Sequence, residues 1–111
     1  MGVSPILYRS ERFGECTYTI PVELGKTYSV VLHFAETYYT DPGRRVFNVS
    51  INDEPFLNEF DIYARAGGKD RAIVEAARNI HSDANGNIVI SLTNGSKDQP
   101  KICGIQILPT P

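Results

Sequence analysis

The chain is short of the residues and patterns by which a sequence advertises chemistry. It has only two histidines. A Ser or Cys nucleophile needs a base brought beside it, yet His33 falls mid-strand and His81 at the start of a loop, neither in a recognisable motif. Glu36, Asp41, Asp61 and Asp98 are the carboxylates from which a facing pair at about 5–10 Å would be drawn, but nothing in their spacing singles one out. No metal-ligand cluster is visible, and Gly67-Gly68 runs into Lys69-Asp70 without the Lys-Ser/Thr ending of a phosphate loop. These absences argue against an enzyme and against any cofactor. There are two cysteines, Cys16 and Cys103, too far apart for a metal motif. They form one bridge or stay as two buried thiols, and the thiol reading is preferred because free Cys packs as a small hydrophobe. No apolar run reaches the roughly 18 residues of a membrane span, and no signal peptide is present. Met1-Gly2 opens like a myristoylation signal, but Ile6 stands where Ser or Thr is required. A formal net charge of −2 argues against nucleic-acid and anionic-membrane partners. Arg9/Arg12 and Arg44-Arg45 read as solvated or salt-bridged strand ends.

What is present is an ordinary globular composition. The sequence has 111 residues with 41% hydrophobic and 22% charged content, enough for one domain with a core that takes up roughly two-thirds of the unfolded surface. Period-2 alternation marks strands. Leu7-Tyr8 begins a short one and Phe13-Gly14 turns. Cys16–Val22 is a strand that Pro21 confines to an edge or an end. Thr27–Glu36 is the clearest. Tyr28, Val30, Leu32 and Phe34 face one way, and Ser29, Val31, His33 and Ala35 form a second, fairly apolar face that is expected to be covered too. Asp41-Pro42-Gly43 turns, and Arg45, Phe47, Val49 and Ile51 alternate on the way back. The whole stretch Tyr28–Ile51 therefore reads as a central hairpin with a ligand-facing loop at its tip.

Phe56–Tyr63 is irregular, a short strand or crossing segment. Arg71–Ile80 fits a helical face as well as a strand, and context favours strand, entering an Asn85-Gly86 hairpin turn. Asn87–Thr93 is a strand, Asn94-Gly95-Ser96 a turn, and Lys101–Leu108 the last strand, with Cys103, Ile105 and Ile107 facing the core. Seven or more antiparallel strands with turns every 8–12 residues predict an all-β fold, a β-sandwich.

Tyr38 and Tyr39 supply the chemistry that is there. Sugar rings stack their apolar C–H faces on aromatic side chains, while their hydroxyls need directed hydrogen bonds from a few polar groups. The competing reading packs one tyrosine into the core and leaves the other as a wet surface residue. Two sequons, Asn48-Val49-Ser50 and Asn94-Gly95-Ser96, would accept glycan only in a secretory compartment. Asn48 falls mid-strand, whereas Asn94 in a turn is the better acceptor.

The blocks LYRSERFG, YSVVLHFAETYY, GRRVFNVSIN, FDIYARAGG and DQPKICGIQIL occur in the order seen in malectin domains, and the chain resembles that family from Ile6 to Leu108. The LHFAE block followed by an aromatic pair and R-x-F-x-V is the more specific part. The resemblance implies a jelly-roll-like, galactose-binding-type β-sandwich over residues 6–109, with residues 1–5 as the start of an expressed fragment. It implies non-catalytic recognition of glucose-containing oligosaccharides, such as glucosyl disaccharides. Carried over residue by residue, it makes Tyr38 and Tyr39 the aromatic pair of the site. Phe13 becomes the aromatic after Glu11-Arg12, able to stack but without a hydroxyl, and Asp98 the hydrogen-bonding carboxylate before the last strand.

One departure stands out. Malectin domains usually begin with a further segment carrying an early strand and another site tyrosine. Without it, part of the pocket wall would be missing, and an uncovered sheet edge would favour a homodimer. The alternative function is accordingly a protein-interaction or dimerisation module with lost or reduced sugar binding. The compartment follows the parent protein: secretory or extracellular by resemblance to the lectins, cytoplasmic within a kinesin-like parent.

Overall fold

The computed structural model describes residues 6–110, with side chains from Gly14 onward; the expected fragment start at residues 1–5 lies outside the described residues. Eight strands and one short helix follow in the order β1 (Ile6–Phe13), β2 (Cys16–Pro21), β3 (Thr27–Ala35), β4 (Val46–Ile51), β5 (Glu54–Phe60), α1 (Ile62–Ala66), β6 (Ala72–His81), β7 (Asn87–Lys97) and β8 (Lys101–Pro109). They form two four-stranded antiparallel sheets, β1-β8-β3-β6 and β2-β7-β4-β5. This is the double-sheet jelly roll, and the all-β sandwich expected from the strand pattern is the fold.

Alternation along each strand builds the core. Tyr28, Val30, Leu32 and Phe34 of β3 face Phe47, Val49 and Ile51 of β4 together with Ile88, Ile90 and Leu92 of β7, all buried. Each large apolar side chain contributes about 1.5–3 kcal/mol relative to exposure. Tyr28 keeps its hydroxyl satisfied by accepting from the Glu23 amide at 2.9 Å. Phe34, Phe47 and Phe60 pack together with centroids 4.9–5.9 Å apart, Phe47 edge to face with Phe60 and Phe34 tilted against both, closing the core beneath the loops at one end. Pro21 sits on edge strand β2, where its missing N–H costs no ladder bond.

Several local expectations are corrected by the pairing. The Tyr28–Ile51 stretch is not a hairpin. β3 pairs with β6 and β8 while β4 pairs with β5 and β7, so the segment between them arches from one sheet to the other. Asn85-Gly86 is not a hairpin turn either, since β6 and β7 lie in different sheets. A type I′ turn needs positive φ at both central residues, and here only Gly86 has it. Asp83 organises that turn instead, its carboxylate accepting the Asn85 and Asn87 amides. The consecutive strands that do pair are β4 and β5, joined by Asn52-Asp53 with φ of 50° and 65°.

Asn94-Gly95-Ser96 is not a turn but a bulge inside β7, where the register against β4 slips between Phe47↔Asn94 and Val46↔Lys97. Asn48, mid-strand as expected, spends its side chain on the Asn94 carbonyl and the Glu59 amide. Ile105 and Ile107 enter the core, but Cys103 is half-buried, and both cysteines are free thiols. Arg71–Ile80 is strand, as context favoured, and Phe56–Tyr63 resolves into the end of β5 and the start of α1. Ser29, Val31, His33 and Ala35 are half-covered rather than buried.

Candidate functional site

The inward-facing row of β3 runs one residue past the strand to Glu36, and the inward-facing row of β4 begins one residue before it at Arg45. Apolar side chains thus give way to opposite charges at the same end of the sandwich. Glu36 is 1% exposed and Arg45 5%, and Arg45 Nε donates to Glu36 Oε1 at 2.8 Å. The other carboxylate oxygen, Oε2, accepts the amides of Tyr38 at 3.2 Å and Tyr39 at 3.4 Å. Arg45 also donates from Nη1 to the Gln99 carbonyl at 2.9 Å.

Above this pair stand the two tyrosines. Their rings meet edge to face, 4.9 Å between centroids and 80° between planes. Tyr38 is 71% exposed, whereas Tyr39 lies half-buried, with the guanidinium carbons of Arg45 and Arg44 5.3 Å and 5.6 Å from its ring centre. Neither tyrosine packs into the core. The Tyr39 hydroxyl donates to Asp98 Oδ2, and Asp98 Oδ1 accepts the Gln99 amide. Asp98 holds a left-handed φ of 55°, a conformation Asp tolerates better than most residues.

The loop between β3 and β4 is fastened elsewhere too. Gly43 donates its amide to Asp61 Oδ2, while Asp61 Oδ1 caps α1 through the Ala64 amide. Buried Lys101 donates to the Thr37 hydroxyl. A depression of about 390 Å³ opens here, lined by Tyr38, Tyr39, Thr40, Asp41 and Arg44.

The Tyr39–Asp98 bond sets the local charge. The carboxylate accepting its proton raises the Tyr39 phenol above the ordinary 10.0, with burial and the aspartate's charge adding and Arg45 opposing. The same bond holds Asp98 below the ordinary 3.8, helped by the Gln99 amide and Arg45 and opposed by desolvation. At neutral pH the pair is therefore a protonated phenol against a charged carboxylate. The arrangement offers an exposed aromatic face, a second ring at right angles, and a carboxylate acceptor with cations alongside.

Of the residues expected at a site, Tyr38, Tyr39 and Asp98 come together. Phe13 ends β1 opposite Lys101, and the next amide, that of Gly14, donates to the Pro100 carbonyl at 3.0 Å. Its backbone therefore lies at the same end of the sandwich, but its side chain lies outside the described residues. Glu36 and Arg45 were not singled out by sequence reasoning. Extending each inward-facing row by one step past its strand would have found them. Arg45 is the salt-bridged strand end expected of the Arg44-Arg45 pair. Among the described residues no group of three or more His, Cys, Asp or Glu side chains is placed to hold a metal ion, and no helix is long and apolar enough to cross a membrane.

The family model for the malectin domain matches residues 2–105. The chain belongs to the malectin-domain family. Mouse malectin is 32% identical over 115 residues, a match covering 93% of this chain and 40% of that protein. A rice kinesin-like protein, KIN-14E, is 34% identical over 114 residues, covering 96% of this chain and 10% of that one. Among solved structures, the Arabidopsis ANXUR1 extracellular domain superposes with a TM-score of 0.80 at 22% identity, covering 86% of this chain and 27% of that one. The Arabidopsis ANX2 ectodomain gives 0.78 at 25% identity, with 86% and 28% covered. The chain thus spans about two-fifths of the malectins it matches and about a tenth of the kinesin-like proteins. Malectin domains are non-catalytic carbohydrate-binding modules, and this malectin domain is a module of that type rather than an enzyme.

Proposed function

We propose that this malectin domain binds glucose-containing oligosaccharides at the loop end of the sandwich, with Tyr38 as stacking platform, Tyr39 as the second wall and Asp98 as hydroxyl acceptor. The observation that carries the reading is the exposed Tyr38 ring set at right angles to Tyr39, whose hydroxyl already aims at the Asp98 carboxylate. A pyranose laid on Tyr38 buries its apolar face, and its hydroxyls reach a carboxylate that is ionised at neutral pH, where charge-assisted hydrogen bonds are the strong ones. Phe13 belongs to the proposed site by its place at the same end of the sheet.

The test is calorimetric titration with a panel of glucose disaccharides, followed by chemical-shift mapping. Binding by the parent domain, shifts confined to Phe13 and residues 36–45 and 98–101, and weakening by Tyr38→Ala support the proposal. Binding unchanged in both Tyr38→Ala and Asp98→Ala defeats the site. No sugar bound, together with a concentration-dependent dimer in light scattering, favours the protein-interaction module instead.

A further inference from the structure

We infer that the buried Glu36–Arg45 pair is a positioning device that holds the two halves of the binding site, the Tyr38-Tyr39 loop and the Asp98 loop, in one fixed relation. The inference rests on the proposed sugar site, but its first test does not use sugar. The two residues sit where the chain crosses between sheets, Glu36 just after β3 and Arg45 just before β4. Neither sheet's ladder of hydrogen bonds spans that gap, so another set of contacts must fix the mouth.

The contacts form a closed circuit. Glu36 holds the Tyr38 and Tyr39 amides with one oxygen and Arg45 with the other. Arg45 holds the Gln99 carbonyl, the Gln99 amide holds Asp98, and Asp98 accepts from the Tyr39 hydroxyl. The circuit runs from the Tyr38-Tyr39 loop to the ion pair, from the ion pair to the Asp98 loop, and from Asp98 back to Tyr39; the Arg45–Glu36 and Gln99–Asp98 bonds complete it within the pair and within the second loop.

The chemistry of the pair suits this task better than it suits stability. Desolvating two charges offsets most of their attraction, so an apolar pair of similar volume is often as stable. What an apolar pair cannot do is hold the Tyr38 amide, the Tyr39 amide and the Gln99 carbonyl at once. Arginine is the side chain that fits. Its planar fork serves Glu36 from Nε and Gln99 from Nη1, while its guanidinium lies against the Tyr39 ring. Lysine, a point charge, cannot hold that geometry.

The experiment uses the whole domain with Glu36→Gln, and with Arg45→Lys as a second variant should the first not fold. In the ligand-free protein, the tyrosine titration and amide hydrogen exchange are followed by NMR. The expected result is a Tyr39 titration shifted down toward the ordinary tyrosine value and exchange of the Tyr38 and Tyr39 amides at least tenfold faster. The amides of Val30 and Leu32 in β3 should keep their protection. Unchanged Tyr39 titration and unchanged Tyr38 and Tyr39 exchange in a folded variant overturn the inference. So does uniform loss of protection throughout β3, which would make the pair merely structural. In a second arm, a glucose disaccharide bound by the parent should bind at least tenfold more weakly to the variant, and equal affinity again overturns the inference. A parent that binds no disaccharide defeats the sugar reading while the exchange and titration results stand by themselves.

Discussion

Replacing Gly95 by alanine should damage this domain more than its place in a loop-like tripeptide suggests. A methyl group there would sit 2.4 Å from Glu59 Oε2, 2.5 Å from the Val46 carbonyl oxygen and 2.8 Å from Phe47 Cα. Two of those atoms are backbone of β4, whose side chains Phe47 and Val49 are buried, so the clash is not relieved by rotating a surface side chain. Overpacking of this kind costs about 1–3 kcal/mol, and the upper end applies because a core strand must shift. Glu59 would also be driven from its bond to the Ser96 amide, worth about 1 kcal/mol. A total of about 4 kcal/mol, against an unfolding entropy of about 2.1 cal/mol/K per residue, lowers the melting temperature by about 17 °C. Gly25→Ala is the control. Nothing lies within 4 Å of that position, and its φ of +76° leaves only left-handed backbone strain, about 1 kcal/mol. Thermal melts by circular dichroism measure both. If Gly95→Ala melts within a few degrees of the parent, or above Gly25→Ala, the bulge is not the close approach described.

Tyr39→Phe keeps the ring and removes the bond to Asp98, so the Asp98 carboxyl should titrate closer to its ordinary 3.8; carbon-detected NMR titration reads this, and an unmoved midpoint contradicts the assignment of cause. The sign of the linked stability follows from the two shifts. Asp98 is depressed, so its contribution is present above 3.8 and fades as pH falls through its folded value; Tyr39 is raised, so its contribution is present below 10.0 and fades as pH rises through its folded value. The parent should therefore lose at both extremes a contribution that Tyr39→Phe lacks throughout, as paired urea melts across pH would show. Asn52→Ala removes bonds to the His81 carbonyl and the Val89 amide and puts alanine at a φ of 50°. It should cost about 3 kcal/mol in urea unfolding, and a loss under 1 kcal/mol would refute that account of the turn.

The strands themselves were legible because alternation is local. Every run with period 2 became a strand, and Tyr28, Val30, Leu32 and Phe34 entered the core as their spacing required. Pairing was less legible. Asp41-Pro42-Gly43 and Asn85-Gly86 do mark where the chain bends, but composition does not say whether it bends within a sheet or across to the other. A jelly roll sends most of its connections across. Gly95 misled for a related reason, since glycine serves both turns and close backbone approach. At the site, the aromatic pair was legible as surface chemistry and Asp98 through the family resemblance. Glu36 and Arg45 were written in the sequence as the ends of two inward-facing rows. They stayed hidden because their meaning depends on β3 and β4 meeting from different sheets.

The central claim is that Tyr38, Tyr39 and Asp98 form a sugar site at the loop end. The most direct measurement is calorimetric titration of α-linked glucose disaccharides into the parent domain, Tyr38→Ala and Asp98→Ala, with folding of each checked by its melt. The account predicts saturable binding by the parent. It predicts binding at least about tenfold weaker in Asp98→Ala, the scale of one hydrogen bond to a charged group, and a comparable loss in Tyr38→Ala. A parent that binds no disaccharide, or folded variants that bind as the parent does, would contradict it.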